Sequence, residues 1–244
     1  MTEIKDLQDP YLRRMVKARN HTALIPVGSL EQHGPHLPIS TDADIVSSIA
    51  KRVSEKANFL LLPTITYGVS FEHAPYFNLS ITKSSLQKIL VELCISLWKN
   101  KIKNIIIING HHGNQSALKN IPQKVHALSS GKVRVFVFSY WHFMKREFDH
   151  AGFVETSLML AISKKVMMKN AKKGFIVDNF SKKERQRLDK LASKSFPSVT
   201  KSGVWGDPRK ASAEDGSQIL REIVREILKM SQTCLTDMTR NLHQ

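Results

Sequence analysis

Cysteine is scarce in this 244-residue chain, which contains only Cys94 and Cys234. Neither residue belongs to a CxxC pair, so a secreted scaffold stabilised by disulfides is not expected. Cys94 lies on the apolar face of a predicted helix, where a buried thiol is expected. This use of cysteine is typical of a protein in the reducing cytoplasm.

Long apolar runs and internal boundaries are also lacking. The longest apolar run, which ends at Ile108, is far too short to span a bilayer. The polar N-terminal sequence MTEIKDLQDP has no apolar segment of the kind that a secretory signal requires. Because no repeat, low-complexity tract or Pro/Gly/Ser-rich linker divides the chain, residues 1–244 are expected to form a single domain.

Acidic residues are outnumbered, since 21 Asp and Glu stand against 37 Lys and Arg and give a formal net charge of +16. Twelve of the basic residues lie between Lys164 and Lys201, together with the acids Asp178, Glu184 and Asp189. We interpret this basic region as a solvated face. Two alternatives are a nucleic-acid site and a field that attracts an anionic small substrate.

Strand and helix patterns alternate along the chain. Apolar, β-branched runs predict buried strands at about 22–28, 59–66, 104–108 and 134–140. Helical periodicity predicts helices at about 43–57 and 83–99, a C-terminal helix around 219–228, and weaker helices at 115–129, 155–169 and 181–195. The alternation indicates an α/β fold with a mainly parallel sheet and helices on both faces. In such folds ligands bind beyond the carboxyl ends of the strands.

A first polar cluster follows the first predicted strand in the sequence GSLEQHGPHLPISTD. In an extended segment, side chains two residues apart point the same way, so Glu31 and His33 can converge on one point. Asp42 lies where the next helix begins, and a carboxylate there can bridge two ions. Carboxylate and imidazole groups together are the ligands expected for zinc, manganese or iron.

A second cluster, NGHHGN, follows the apolar strand that ends at Ile108. Its glycines permit close backbone approach and place His111 at the strand end. A helical pattern follows this cluster instead of a second strand, which disfavours a simple hairpin turn. The first and second clusters therefore leave the same edge of the sheet, and we expect Glu31, His33, Asp42 and His111 to form a metal site.

A third cluster, HAGFVETS, opens another predicted helix. His150 precedes this helix and could act as a general acid or base near neutral pH. Glu155 could participate in catalysis or metal binding, or could be only an acid that the helix dipole stabilises in the first turn.

These strings, followed by GVWGDPRKASAEDG, resemble the creatininase (creatinine amidohydrolase) family from about residue 24 to residue 228. The resemblance implies a three-layer α/β/α sandwich, a centre with two divalent metal ions (Zn, Mn or Fe) and a homo-oligomer, hexameric in the best-known members. It also implies that Asp42 bridges the two ions and that His150 transfers a proton near the scissile amide.

The chain departs from creatininase proper at several positions. Gly113 stands where creatininase has a glutamate ligand, and Glu155 is the expected replacement. Arg146 and Glu147 stand where creatininase has a tryptophan and an aspartate that hold creatinine, so a substrate other than creatinine is expected. His73, His112 and Glu147 are predicted to line the substrate pocket.

The resemblance predicts a metal-dependent hydrolase that cleaves a non-peptide C–N bond, such as that of a cyclic amide. Two alternatives within the family are a deformylase of a phosphorylated formylaminopyrimidine and a peptidase that matures a peptide-derived redox cofactor. Outside enzymes, the alternative is a metal-free relative that binds nucleic acid through its basic region. We expect no membrane segment and no nucleic-acid partner.

Overall fold

The computed structural model describes residues 3–18, 21–177 and 180–236. Asp178, one of the acids of the basic region, lies outside these ranges. Four strands form one parallel sheet in the order β2-β1-β3-β4. The strands are β1 (Thr22–Val27), β2 (Leu60–Leu61), β3 (Asn104–Asn109) and β4 (Arg134–Ser139).

The helices lie between and after the strands. They are α1 (Asp9–Ala18), α2 (Thr41–Ala57), α3 (Lys83–Lys99), α4 (Gln115–Leu118), α5 (Ile121–Leu128), α6 (Phe153–Ile162), α7 (Lys182–Ala192) and α8 (Ala213–Thr236).

The two faces of the sheet are covered by different helices. Ile106 and Ile108 of β3 point into one core cluster, which contains the buried faces of α2, α6 and α8. Ile105 and Ile107 point into the other cluster, which contains apolar residues of α3, α4 and α5. Because successive side chains of a strand alternate between faces, one fully buried strand supplies both cores. The predicted three-layer α/β/α sandwich is therefore confirmed.

Several elements differ from their predicted bounds, and α1 lies outside the predicted elements. The strand predicted at 59–66 is regular only over Leu60–Leu61, and beyond it the pairing with β1 continues as a single bridge between Val27 and Ile65. The helix predicted at 115–129 is divided into α4 and α5, with Pro122 in the first turn of α5. The helix predicted at 155–169 begins at Phe153 and ends at Ile162, where Ser163 becomes extended.

Helix α8 is the longest, with 24 residues. Its buried stripe includes Ile219, Ile223 and Ile227, while charged residues occupy the remaining faces. In the part of the chain that the structure describes, neither α8 nor any other helix is long and apolar enough to cross a membrane.

The register of the sheet brings three strand ends to one level. Val27 of β1 pairs with Asn109 of β3, and Asn109 pairs in turn with Ser139 of β4. The segments that follow these three strands therefore start side by side at the carboxyl edge of the sheet.

Candidate metal centre

The start of α2 packs against the ends of β1 and β3. A Cβ atom at Gly28 would lie 2.6 Å from the Cα atom of Ala43, and one at Gly110 would lie 2.7 Å from the Cβ atom of Val46. Because a side chain at either position would push α2 away, the two glycines permit this approach. The approach brings Asp42, in the first turn of α2, to the segments that carry the other polar residues.

One group of possible ligands contains His33, Asp42 and Glu155, all of them buried. The Nε2 atom of His33 lies 3.1 Å from Oδ1 of Asp42 and 3.6 Å from Oε2 of Glu155. One ligand atom from each residue lies within 4.8 Å of the others. Such a spacing suits three ligands of a single divalent ion.

A second buried group contains Glu31, Asp42 and His111. The Nδ1 atom of His111 lies 3.0 Å from Oδ2 of Asp42, and its Nε2 atom lies 3.2 Å from Oε2 of Glu31. Asp42 therefore belongs to both groups and directs one carboxylate oxygen to each. This is the arrangement expected for a carboxylate that bridges two ions.

Two buried oxygens of these groups accept no hydrogen bond from the described residues: Oε1 of Glu31 and Oδ2 of Asp42. The first lies 3.1 Å from Nε2 of His73 and the second 3.0 Å from Nδ1 of His111, but neither pair is aligned as a hydrogen bond. Burying an unpaired carboxylate oxygen is costly unless a cation neutralises it. The unpaired oxygens and the mixed oxygen and nitrogen donors therefore fit a pair of divalent metal ions.

Neighbouring groups orient three of these side chains. The Ser29 hydroxyl donates a hydrogen bond to Oε2 of Glu31 at 3.0 Å. Oε1 of Glu155 accepts from the Tyr140 hydroxyl at 3.4 Å, and Oε2 accepts from the Ala151 amide at 2.7 Å. The Nδ1 atom of His33 lies 3.1 Å from the carbonyl oxygen of Glu31, which leaves Nε2 facing Asp42. Such partners fix the ring and carboxylate orientations of metal ligands.

Protons occupy part of this centre when metal is absent. Burial lowers the pKa of His33 and His111, but the surrounding carboxylates outweigh burial and raise both values to about 10. Burial likewise favours neutral Asp42, yet the adjacent His33 and His111 hold its pKa well below the usual range. Burial raises the pKa of Glu155 to about 8. The site therefore attracts positive charge, either as protons or as metal ions.

His150 lies beside the two groups. It forms a third possible ligand group with Glu31 and His33, and its ring centroid is 4.3 Å from that of His33. The side-chain nitrogen of Gln32 lies 3.2 Å from Nε2 of His150 and 2.9 Å from Nδ1 of His73. Burial, reinforced by His33, lowers the pKa of His150 well below its usual value, so its imidazole is neutral.

A cavity of 140 Å³ opens from the centre. His73 and His112 line it, as predicted from the sequence. The ring of Phe196 packs against the rings of His73 and His150, with a centroid distance of 4.7 Å in each case. Glu147 is not among the lining residues. Its side chain is 81% exposed and forms an ion pair with Arg185 at 3.2 Å. The structure thus brings two of the three predicted pocket residues to the cavity.

Sequence patterns did not identify several residues of the site. Gln32 lies inside the first polar motif, but an amide between two ligand positions carries no distinctive signal. Asp149 precedes His150 and is buried, where its carboxylate accepts hydrogen bonds from the amides of Val154 at 2.8 Å and Glu155 at 3.3 Å. Burial raises its pKa to about 7. Phe196 comes from the basic region, in which only the charge pattern is conspicuous.

The sandwich fold, with buried groups of carboxylates and histidines at its strand ends, defines an α/β protein with a candidate metal centre. The chain belongs to the creatininase family, whose model, described as creatinine amidohydrolase, matches residues 5–231. The chain is therefore a creatininase-family amidohydrolase.

Curated relatives carry different activities, a peptidase and an amidohydrolase among them. The chain is 32% identical over 213 residues to the mycofactocin precursor peptide peptidase of Mycolicibacterium smegmatis, covering 82% of this chain and 80% of the relative. It is 27% identical over 173 residues to the creatinine amidohydrolase of Pseudomonas putida, covering 60% of this chain and 66% of the relative.

A solved structure named creatininase Mn has the same fold. It matches with a TM-score of 0.78 at 22% identity and covers 94% of this chain and 96% of its own. At this identity the match is informative about the fold alone.

Proposed function

We propose that this chain is a two-metal amidohydrolase that cleaves the C–N bond of a small non-peptide amide, such as a cyclic amide. The observation that carries the proposal is the position of Asp42, which directs Oδ1 to the group with His33 and Glu155 and Oδ2 to the group with Glu31 and His111. We further propose that residues 1–244 act as one catalytic domain.

We assign one ion to Glu31, Asp42 and His111 and the other to His33, Asp42 and Glu155. These mixed oxygen and nitrogen donors suit zinc, manganese and iron. Divalent ions at such positions lower the pKa of bound water and polarise a carbonyl group.

His150 is the proposed proton carrier. It is held at the edge of the centre by Gln32, and its neutral imidazole can take up a proton and deliver it to the leaving nitrogen. Phe196 and Trp205 line the same cavity and make part of its wall apolar. Glu155, besides its place as a ligand, is the second residue that we propose for catalysis, because its buried carboxylate lies in the first turn of the helix that follows His150.

The size of the cavity favours a small substrate. Its 140 Å³ is well below the roughly 300–1,000 Å³ of ordinary ligand pockets. Arg146 and Glu147, at the positions that hold creatinine in creatininase proper, form ion pairs with Asp215 and Arg185. Both observations support a small amide other than creatinine.

The charge of the cavity argues against a phosphorylated substrate. Among the described residues that line it there is no lysine or arginine, whereas Glu72 and Asp189 add carboxylates outside the two ligand groups. The described lysines and arginines that give the chain its positive net charge therefore lie outside the lining of this cavity. An uncharged amide fits this lining better than a phosphorylated formylaminopyrimidine does.

The test is a substrate panel with protein loaded with Zn, Mn or Fe. We expect hydrolysis of at least one cyclic amide, and little or none of creatinine, a formylaminopyrimidine ribotide or a short peptide. His150→Ala should lower turnover by about 100-fold or more while both ions stay bound. His126→Ala, which removes an exposed histidine of α5, serves as the matched control.

If the protein cleaves the peptide and none of the cyclic amides, the proposed non-peptide substrate is wrong and the protein is a peptidase. If no member of the panel is cleaved by the loaded protein, the proposed substrate class is wrong. Full turnover by metal-loaded His150→Ala would refute the proton-transfer role of His150.

We also propose a cytoplasmic homo-oligomer, hexameric as the resemblance implies. Light scattering should then give the mass of six 27.7-kDa chains. A monomer mass at micromolar concentration would contradict this assembly.

A further inference from the structure

The two ring nitrogens of His111 have different surroundings. Nε2 forms a hydrogen bond with the carbonyl oxygen of Val69 at 2.9 Å, and it also lies 3.2 Å from Oε2 of Glu31. Nδ1 lies 3.0 Å from Oδ2 of Asp42, but the two atoms are not aligned as a hydrogen bond. A carbonyl oxygen can only accept, so Nε2 keeps its proton, and the nitrogen that gives up a proton to bind metal is Nδ1, beside an unpaired carboxylate oxygen.

A carboxylate that belongs to neither ligand group faces the Nε2 side of the same ring. Oε1 of Glu72 lies 3.7 Å from Nε2 of His111, and the Glu72 side chain is only 15% exposed. Glu72 follows the segment that carries Val69, so one stretch of backbone supplies both the carbonyl and the carboxylate. A negative group behind the protonated nitrogen strengthens the opposite nitrogen as a metal ligand.

Gly113 leaves this edge of the ring without a competing side chain. A Cβ atom at Gly113 would lie 2.2 Å from the carbonyl oxygen of Val69, 2.5 Å from Oε1 of Glu72 and 2.5 Å from Nε2 of His111. Any side chain here would displace the three atoms that meet at this edge. The glycine is therefore part of the same arrangement.

We propose that Glu72 is a positioning residue for the metal centre: with the Val69 carbonyl it holds the Nε2 edge of His111, so that His111 binds its ion through Nδ1. This inference rests on the two-metal centre proposed above and adds a residue and a ligand atom to it.

The first test measures metal affinity by competition with a chelator. Glu72→Gln keeps the size of the side chain and removes its charge, and we expect it to weaken binding of one ion by about tenfold or more. Asp189→Asn removes a charge from the same cavity, on a side chain that forms no ion pair with His111 among the described residues, and should leave both affinities within about twofold of wild type. Thermal unfolding of the metal-free variants checks that each is folded.

The second test identifies the ligand atom by NMR of zinc-loaded protein containing isotope-labelled histidine. We expect His111 to keep its proton on Nε2 and to bind zinc through Nδ1. Metal at Nε2 would overturn the proposal, as would wild-type affinity in Glu72→Gln. Equal weakening in Glu72→Gln and Asp189→Asn would also overturn it, since the cause would then be the general charge of the cavity. If wild-type protein binds no metal at all, the proposed function itself fails, which is a distinct outcome.

Discussion

Metal loading should release a defined number of protons, because the ligands hold protons when no metal is bound. The pKa values of His33 and His111 are about 10, and that of Glu155 is about 8. At pH 7 all three groups are largely protonated, whereas ligands must be deprotonated to bind metal. Loading two ions should therefore release about three protons per chain at pH 7.

The number should fall as pH rises, because Glu155 ionises first. At pH 9 Glu155 has already lost its proton, while His33 and His111 retain most of theirs, so the release should be about two protons per chain. Manganese is the ion to use for this measurement. It binds most weakly in the first-row series, and the water bound to it loses a proton least readily, so the counted protons come from the ligands.

The assay is titration calorimetry of metal-free protein in buffers that differ in ionisation enthalpy. The dependence of the observed heat on buffer gives the number of protons released. His33→Gln leaves its ligand group with two members and should lose that ion, so it should release about one proton per chain at pH 7, from His111 alone. His126→Gln, at an exposed position on α5, should match wild type. A release close to zero at pH 7 would refute the reasoning, because the ligands would then bind metal without losing protons.

Three further predictions concern stability, space and thiol reactivity. The raised pKa of His33 and His111 contributes stability that is fully present below pH 6.5 and lost as pH rises towards 10, so the Tm of metal-free protein should fall between pH 7 and 10. An unchanged or rising Tm would contradict this sign. Gly113→Ala should reduce metal content, measured by elemental analysis, because its Cβ atom meets His111 and the carbonyl behind it; full content would show that the edge has room. Burial raises the pKa of Cys94 to about 12, so a thiol reagent at pH 8 should label only Cys234 in native protein and both cysteines in denaturant; rapid labelling of native Cys94 would show that it is accessible.

The sequence predicts most of the fold because buried parallel strands are continuous apolar runs. Such a run is visible at Ile105–Ile108 without knowledge of its neighbours. The predicted bounds of an element are wrong where the regular structure is interrupted within a longer apolar or helical pattern. The second strand is regular only over Leu60–Leu61 although its apolar run is longer, and Pro122 starts a new helix within a continuous helical periodicity.

The candidate ligands are predictable because each follows a strand end or opens a helix. Glu31, His33 and His111 lie directly after β1 and β3, so the parallel order of the sheet is enough to bring them together. Asp42 and Glu155 lie in the first turns of α2 and α6, and the resemblance assigns their roles.

The remaining site residues depend on the paths of loops, which periodicity does not describe. Glu72 reaches His111 only because its loop folds back across the end of β3, and Phe196 reaches His150 from a segment nearly 50 residues away. Glu147 is placed in the pocket by the resemblance, yet in the structure it pairs with Arg185 at the surface.

Elemental analysis of gently purified wild-type protein beside Asp42→Ala tests the central claim most directly. If Asp42 bridges two ions, wild type should contain about two divalent ions per chain and the variant should lose most of both, because each ligand group is left with two members. Circular dichroism should confirm that the variant is folded. No metal in wild type after incubation with Zn, Mn and Fe, or two ions retained by Asp42→Ala, would contradict the account.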